Sequence, residues 1–567
     1  MNFSIEKWKP GTWFALIVGT GIAAYSNIFN APFIFDDAEA IVDNPHIHSL
    51  WPIWKTLIPP PFETALAWRP FISFSFAINY AISGVNPWSY HALNLIAHLG
   101  TAVLLFLIIS QTIKSPFTTS IAGLAALLFT LHPIQTEAVT YTIKRTELFM
   151  SFFYLLTLYS VIRYSDQTDR KPGKWFWIAV ASCTLGMGSK QGMVTAPIMI
   201  AIYDRIFLAK SFRAILHARA KLYACLAATS LVIVFAAFAA PPVETAGFHL
   251  NLVSPLQYAA TEWRVIWHYI RLAFWPHPLI LDYDWLIYKN PAANTLYGIG
   301  IFALLSLTGI ALKKKPSLGF LGVWFFLLLA PTSSIMPITT EVIAEHRMYL
   351  PVVSLILLTA LGATSFKNLS RPLSWILIGV ALVFSFLTFQ RNKDYRSEIN
   401  IWEVTAAQNP TRSRPLTSLG TAYGKVKRHE EALKACLRAT EINSYEYEAF
   451  NCVGAAYMNL DQSKLAIQYL LKTLDLKPDH RKAHENLIFA YGKSGDPRKA
   501  IEIGEKALTL TTPSKALLYN LGVAYLHSGN QDRAYQLFKQ TAELDPNFLN
   551  ARETVALFEM ERKKLTS

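Results

Sequence analysis

Long apolar blocks separated by short polar segments run along the chain up to about residue 390. A bilayer crossing needs about 20 mainly apolar residues. Eleven segments meet that standard, and their centres lie near residues 21, 99, 125, 152, 181, 199, 230, 303, 326, 358 and 380. Beyond residue 390, Glu, Lys, Asn and Asp become frequent. The pattern predicts an all-α protein with a polytopic transmembrane domain at residues 1–392 and a soluble helical domain at residues 393–567.

One further segment, residues 255–275, is long enough to span but carries four ionisable side chains: Glu262, Arg264, His268 and Arg271. A full charge at mid-bilayer costs about 2.5–3.5 kcal/mol on the insertion scale. We therefore expect this segment to form an amphipathic helix that lies in the membrane interface and does not cross it.

The basic loops test the number of spans. With eleven spans, all of these loops fall on the side of the N-terminus, and the richest of them lies between residues 204 and 221. Twelve spans would put the later basic clusters outside. By the positive-inside rule the N-terminus is cytoplasmic, and the C-terminal domain lies beyond the membrane, with the acidic first loop at residues 31–87.

The C-terminal domain is repetitive. Tyr and Ala each recur at a spacing of 34 residues, at Tyr423, Tyr457, Tyr491 and Tyr525 and at Ala432, Ala466, Ala500 and Ala534. This period is typical of tetratricopeptide (TPR) helix pairs. We expect units near 413–446, 447–480, 481–514 and 515–548 and a capping helix at 548–564. Such an α-solenoid offers a concave groove for a peptide or a partner helix.

Composition and cysteines refine this picture. The chain is 52% hydrophobic and 16% charged, too apolar for a soluble protein of 567 residues. Its net charge of +14 comes from basic residues at the ends of apolar blocks, which argues against nucleic-acid binding. Cys436 and Cys452 lie in adjoining repeat helices, where either a disulfide or two buried thiols can be accommodated.

Polar residues at the outer ends of the spans are the candidate chemistry. Asp36 and Asp37 follow the first span among aromatic neighbours, where a low dielectric constant would raise a carboxyl pKa and suit a general base. The alternative is a helix cap or a solvated turn. His91, Asn94 and His98 share one helical face by their spacing.

Further polar residues fall at the same side of the membrane: Arg69, His132, Glu137, Arg145, Lys190, Glu345, His346, Arg347 and Tyr349. Each of them alone is more simply a structural partner, for instance Arg145 paired with Glu137 or Glu147. Together they predict one site, in which an acid accepts a proton from a hydroxyl and cations neutralise a departing phosphate. No HExxH, CxxC or glycine-rich phosphate loop is present in the sequence, which argues against zinc proteolysis, redox chemistry and ATP hydrolysis.

The chain resembles the TMTC type of O-mannosyltransferase, integral-membrane enzymes of the GT-C superfamily with C-terminal TPR units, and their bacterial relatives. The resemblance covers nearly the whole chain and rests on short motifs: Phe35-Asp36-Asp37, Asn44-Pro45, Arg69-Pro70, Tyr90-His91, Asn94, His98, His132-Pro133, Thr136-Glu137-Ala138-Val139, Arg145, Glu147-Leu148, Ala344-Glu345 and Tyr349-Leu350-Pro351. It departs from the family pattern at His346-Arg347, where an Arg often follows the Glu, and at Gln191, where an acidic residue is frequent.

The resemblance implies a GT-C-type transmembrane domain in a bacterial inner membrane and a polyprenyl-phosphate sugar as donor. It points to Asp36 or Asp37 as the base, and to phosphate contacts from Arg69, His91, Lys190, His346 or Arg347. The supporting residues would be Asn94, His98, His132, Glu137, Arg145, Glu345 and Tyr349. It implies no fixed cofactor and assigns no metal ligands, and it leaves a divalent metal requirement open.

Together, the sequence and the resemblance predict a membrane glycosyltransferase that moves a sugar to a hydroxyl of a protein, with inversion at the anomeric carbon. The resemblance implies that the sugar is mannose. The TPR groove would present the acceptor or recruit a partner. Two alternatives stay open: a non-catalytic scaffold that assembles an envelope complex through its TPR domain, and an enzyme of the same class that acts on a lipid-linked glycan.

Overall fold

The structure is a computed structural model that describes residues 8–57, 66, 69–166, 172–209, 211–239, 253–288, 290–334, 336–365, 370–545 and 548–566. It divides into two compact units, Met1–Ile401 and Trp402–Ser567. The described parts of both units are built from α-helices joined by loops and by short 3-10 or π-helical turns.

The first unit contains sixteen described α-helices. They are α1 (Pro10–Ala24), α2 (Ile53–Leu57), α3 (Pro70–Ser83), α4 (Trp88–Thr112), α5 (Thr118–Leu131), α6 (Thr136–Thr140), α7 (Arg145–Ser165), α8 (Lys174–Met187), α9 (Ala196–Tyr203), α10 (Phe212–Ala228), α11 (Leu231–Ala239), α12 (Pro255–Phe274), α13 (Thr295–Lys314), α14 (Pro316–Leu329), α15 (Val352–Ser365) and α16 (Ser370–Asn392). The division between the units falls within α17 (Glu398–Gln408).

Among the described residues, five helical stretches are long and apolar enough to cross a membrane: Trp88–Thr112, Thr142–Ser165, Phe212–Phe235, Pro291–Lys314 and Pro372–Arg396. Four further apolar helices are shorter: Pro10–Ala24, Thr118–Leu131, Pro316–Leu329 and Val352–Ala363. The number of eleven spans therefore stays a prediction. Helix α12 is not among these apolar helices, and its place in the interface also stays a prediction.

Large apolar side chains cover the outer surface of α13. Leu296 is 84% exposed, Ile299 60% and Leu307 60%, and only 11% of the most apolar 18 residues of Pro291–Lys314 are buried within the protein. Continuous apolar surface of this kind is unfavourable in water and matches the hydrocarbon interior of a bilayer. The first unit is therefore that of an integral membrane protein.

Close packing between α1 and α5 illustrates how the helices of this unit fit together. Trp13 of α1 is fully buried, and its indole ring lies against the backbone of Gly123 in α5, where a Cβ atom would overlap the ring. A glycine is required at this position because only hydrogen leaves room for the indole.

The second unit is a stack of helix pairs. The pairs are α18 (Ser413–Lys425) with α19 (His429–Ile442), α20 (Tyr447–Asn459) with α21 (Ser463–Leu476), α22 (Arg481–Lys493) with α23 (Pro497–Leu510), and α24 (Lys515–His527) with α25 (Gln531–Leu544), and α26 (Ala551–Thr566) follows them. The four alanines of the repeat are all 2% exposed or less, which lets the helices of each pair approach closely. The predicted helical repeat architecture is confirmed.

The two cysteines of this unit, Cys436 in α19 and Cys452 in α20, form a disulfide in the structure. The sequence left open whether they pair, and the structure places them in bonding contact. Gly420 of α18 lies beside both sulfur atoms, and a side chain there would overlap the Cys436 sulfur.

Candidate functional site

Eight ionisable side chains meet in the first unit, and we call them the acid–cation cluster: Asp36, Arg69, Glu137, Lys144, Glu147, Lys190, Glu341 and His346. Glu137 lies in the short helix α6 and Glu147 in the first turn of α7, whereas the other six lie in loops or short turns between the longer α-helices. The cluster is therefore assembled from segments that are far apart in the chain.

Glu137 and His346 form the buried centre of the cluster. Glu137 Oε1 lies 2.7 Å from His346 Nδ1, and Glu137 Oε2 accepts the backbone N–H of His346 at 2.8 Å. Both side chains are 3% exposed or less. Burial raises the pKa of Glu137 and holds the pKa of His346 well below its usual range. The imidazole is therefore neutral and donates its Nδ1 proton to Glu137.

Lys144 links Glu341 to this centre. Its Nζ lies 2.8 Å from Glu341 Oε1 and 3.9 Å from Glu137 Oε1, and it also acts electrostatically on Asp36. Burial by itself raises the pKa of the Glu341 carboxyl. The combined attraction of Lys144, His346 and Arg347 is larger than this effect, so the pKa lies below its usual range. The Glu341 side chain is 42% exposed and negatively charged, so it is more accessible than Glu137, which is 1% exposed.

Lys190 and Arg69 supply the other positive charges. Lys190 Nζ lies 2.5 Å from Glu147 Oε2, and both side chains are mostly buried. Arg69 lies within electrostatic reach of Glu341, Glu147 and Asp36. Burial lowers the pKa of both basic groups, and the neighbouring carboxylates oppose that change. The neighbouring carboxylates favour the charged form of both groups.

The two aspartates after α1 have different surroundings. Asp37 is 1% exposed; its Oδ1 accepts the N–H of Ile143 at 2.7 Å and its Oδ2 that of Ile34 at 3.2 Å. Burial raises its pKa to about 8. Asp36 is partly exposed, and its backbone N–H donates to the Tyr141 hydroxyl at 3.1 Å. Burial raises its pKa to about 6 against the attraction of Lys144, so it is mainly ionised at pH 7.

Arg145 lies outside the cluster and has uncharged partners. Its Nε donates to Asn94 Oδ1 at 2.7 Å, its Nη1 to Asn79 Oδ1 at 2.7 Å, and its Nη2 to the Tyr90 carbonyl at 2.9 Å. The guanidinium also stacks over the ring of Phe76. Among the described residues the expected ion pair with Glu137 or Glu147 is not formed, because amide and carbonyl oxygens surround the guanidinium instead.

The predicted polar face of α4 holds neighbouring segments in place. His91 Nε2 lies 2.9 Å from the Ala31 carbonyl, and Asn94 accepts from Arg145. His98 lies between the Tyr349 hydroxyl at 2.7 Å and the Thr130 carbonyl at 3.0 Å. All three side chains of this face are fully buried, and the structure does not bring them into the acid–cation cluster.

The remaining predicted residues also make structural contacts. His132 Nε2 lies 2.9 Å from the Ala273 carbonyl, and Glu345 Oε1 accepts from Ile280 N–H at 2.6 Å and from the Tyr283 hydroxyl at 2.9 Å. Arg347 donates to the backbone carbonyls of residues 332, 341 and 342. Of these two neighbours, His346 contacts a carboxylate of the cluster, whereas Arg347 donates to backbone carbonyls.

Three members of the cluster, Lys144, Glu147 and Glu341, are not among the site residues predicted from the sequence. Glu147 enters that prediction only as a possible partner of Arg145 and as part of a family motif. Glu341 is separated from Lys144 by 197 residues in the chain, and its loop has no periodic pattern. The sequence feature that marks Glu341 is its position as a carboxylate four residues before Glu345, after a long stretch without charged side chains.

The fold and the cluster define a class: a helical integral membrane protein with charged groups gathered at the ends of its spans and a TPR unit after them. Comparison with known families is consistent with this class. A family model described as "Dolichyl-phosphate-mannose-protein mannosyltransferase" matches residues 67–239, and tetratricopeptide-repeat models match residues 413–445, 447–480 and 516–548.

Several curated proteins are similar to the chain. Human "Protein O-mannosyl-transferase TMTC3" is 26% identical over 77% of this chain and 52% of its own length, and the Caenorhabditis elegans "Protein O-mannosyl-transferase F38B6.6" is 26% identical over 76% and 63%. Mouse "Protein O-mannosyl-transferase TMTC2" is 32% identical over 32% and 23%. The predicted resemblance to TMTC-type protein O-mannosyltransferases is confirmed. The chain spans about half the length of the first two such relatives, human and mouse TMTC3.

Among solved structures, the chain is similar to the Thermus thermophilus protein TTC0263, described as "a thermophilic TPR protein", with 18% identity over 32% of this chain and 96% of that chain and a TM-score of 0.27. The repeat fold rests on the observed helix pairs and on the matching repeat models.

Proposed function

We propose that this chain is a membrane glycosyltransferase that moves a mannosyl group from a polyprenyl-phosphate donor to a hydroxyl of a protein. The observation that carries the proposal is the acid–cation cluster, where one partly exposed aspartate, Asp36, lies within electrostatic reach of Lys144 and Arg69. Lys190 in turn lies within electrostatic reach of these two cations. The similarity to protein O-mannosyltransferases supports the same class of reaction.

In this proposal Asp36 is the general base. Its carboxylate is ionised near neutral pH and can accept the proton of the acceptor hydroxyl. The hydroxyl oxygen then bonds to the anomeric carbon while the bond from that carbon to the phosphate oxygen breaks, and its electron pair leaves on the phosphate. Direct attack on the face opposite the leaving group inverts the anomeric carbon. Asp37 instead anchors the loop, since both oxygens of its carboxyl group accept backbone N–H groups.

The cations stabilise the leaving phosphate. Arg69 can bind two phosphate oxygens with its planar guanidinium, and Lys190 and Lys144 add point charges. In the structure the two lysines are paired with Glu147 and Glu341, so the phosphate would share or replace these partners. Arg347 and His91 are less suited to this role because their side-chain nitrogens already bond to backbone carbonyls.

For sidedness we propose a cytoplasmic N-terminus, with the cluster and the TPR unit on the outer side of a bacterial inner membrane. The basic loop at residues 204–221 supports this orientation. The Cys436–Cys452 disulfide agrees with it, because disulfides persist in oxidising compartments. On that side the TPR groove would present a protein acceptor to the cluster or recruit a partner.

The test uses the purified full chain with polyprenyl-phosphate [³H]mannose and an envelope extract, and then separates protein from lipid-linked products. Label in the protein fraction would support the proposal. Label only in the lipid-linked fraction would show that the acceptor is a glycan and would overturn the protein acceptor. No label from this donor or from other polyprenyl-phosphate sugars would favour the non-catalytic scaffold.

A further inference from the structure

We propose that His346 and Glu341 bind a divalent transition-metal ion of the Mn²⁺ type, with Glu137 orienting the imidazole. Ligand atoms of these three residues lie within 4.8 Å of one another. Binding of the ion does not depend on the sugar transfer proposed above, and a separate experiment tests it.

The hydrogen bonds of Glu137 leave one imidazole nitrogen available. Glu137 holds His346 at Nδ1 and at the backbone N–H, so Nε2 carries the lone pair. The side chain is 3% exposed, and the nearest carboxylate oxygen to Nε2 in the described structure is Glu341 Oε2, 3.9 Å away and beyond hydrogen-bond reach. A metal-binding His typically donates its other ring N–H to a carboxylate, and Glu137 provides that arrangement here.

Glu341 has a free oxygen on the same side. Its Oε1 contacts Lys144 at 2.8 Å, whereas its Oε2 faces His346 Nε2. The side chain is 42% exposed, which gives an ion a path to the site and room for water ligands. An imidazole nitrogen together with a carboxylate oxygen is a donor pair that suits Mn²⁺ or Zn²⁺ better than Ca²⁺.

The charges around the site act in both directions. Glu341 acts on the carboxyl groups of Asp36 and Glu137, and Lys144 is the cation that all three acids share. Arg69 also acts on Glu341 and Asp36, and Lys190 acts on Glu137 although it is paired with Glu147. The proposal therefore rests on the donor atoms of His346 and Glu341, and Lys144 is the competitor for the ion.

The experiment measures Mn²⁺ binding directly. The full chain, without a histidine tag, is stripped with a chelator in detergent and titrated with Mn²⁺, and free Mn²⁺ is followed by its electron paramagnetic resonance signal. We expect one tightly bound Mn²⁺ per chain. Glu341→Gln and His346→Phe should each weaken binding at least tenfold, and Glu137→Gln by about 10- to 100-fold, the usual effect of losing an orienting partner.

Two further variants make the result specific. Glu345→Gln removes a buried acid next to His346 whose Oε1 is held by Ile280 and Tyr283, and it should leave Mn²⁺ affinity unchanged. Lys144→Gln removes the competing charge and should tighten binding several-fold. The proposal is overturned if wild type binds no Mn²⁺, if only the Lys144 variant binds it, or if neither Glu341→Gln nor His346→Phe weakens binding.

Discussion

Asp36 and Asp37 are adjacent in the chain but lie in different surroundings. Asp37 is buried and holds the loop to residues 34 and 143, whereas Asp36 is partly exposed among Lys144, Glu341 and Arg69. The sequence alone does not distinguish them, because the choice depends on the backbone N–H of Ile143, which is 106 residues from Asp37 in the chain. The structure thus separates an anchoring acid from a proposed base.

This difference predicts that the two amide substitutions change stability by different amounts. Asp37→Asn puts an NH₂ group against a backbone N–H that needs an acceptor, and one unsatisfied buried donor costs about 1–3 kcal/mol. The thermal midpoint of the detergent-solubilised protein should therefore fall. Asp36→Asn should change the midpoint much less, and an equal or larger loss in Asp36→Asn would contradict these assignments.

The pKa of Asp36 predicts a rise of activity with pH. The base acts in its ionised form, and burial raises the pKa of Asp36 to about 6. The rate of sugar transfer should therefore increase through pH 6 and level off above pH 7, with a fall of about tenfold per pH unit on the acid side. The measurement is kcat/KM between pH 4.5 and 8. A flat acid limb would show that no group with this pKa is required.

The helices themselves were well predicted where the pattern is periodic. The 34-residue spacing of Tyr and Ala is reproduced by four helix pairs, because each repeat buries the same small residue between its helices. Loops were harder to predict. The segment that carries Glu341 has no period, and its position depends on Lys144, which lies 197 residues away. Arg145 was expected to pair with an acid, but helix packing surrounds it with amide oxygens.

The contact between α1 and α5 gives a prediction for helix packing. Gly123→Ala would push a methyl group into the Trp13 ring, and overpacking of this kind costs about 1–3 kcal/mol. Gly19→Ala in α1 is the matched control, since its Cβ would meet no atom within 4 Å. Chemical denaturation in detergent should show a loss for Gly123→Ala and none for Gly19→Ala. Equal stability of both variants would argue against this helix contact.

For the molecule as a whole, the sidedness proposed above can be tested at the disulfide between α19 and α20. If the TPR unit lies outside the cytoplasm, Cys436 and Cys452 should react with a maleimide in the denatured protein only after reduction. The readout is the mass of the TPR fragment from cells lysed in the presence of the reagent. Cys436→Ser is the control, because it frees Cys452 without reduction. Two free thiols in the unreduced wild type would place the unit in the cytoplasm.

In the proposed function, both units belong to one enzyme whose general base is Asp36. The most direct test is transfer of [³H]mannose from polyprenyl phosphate to protein by the purified full chain, with wild type, Asp36→Asn and Asp43→Asn compared side by side. Asp43 is an exposed acid of the same loop and lies outside the acid–cation cluster, so it serves as the matched control. We predict at least a hundredfold loss of transfer for a folded Asp36→Asn protein, within the usual contribution of a general base, and a near wild-type rate for Asp43→Asn. Transfer that survives Asp36→Asn would contradict the account.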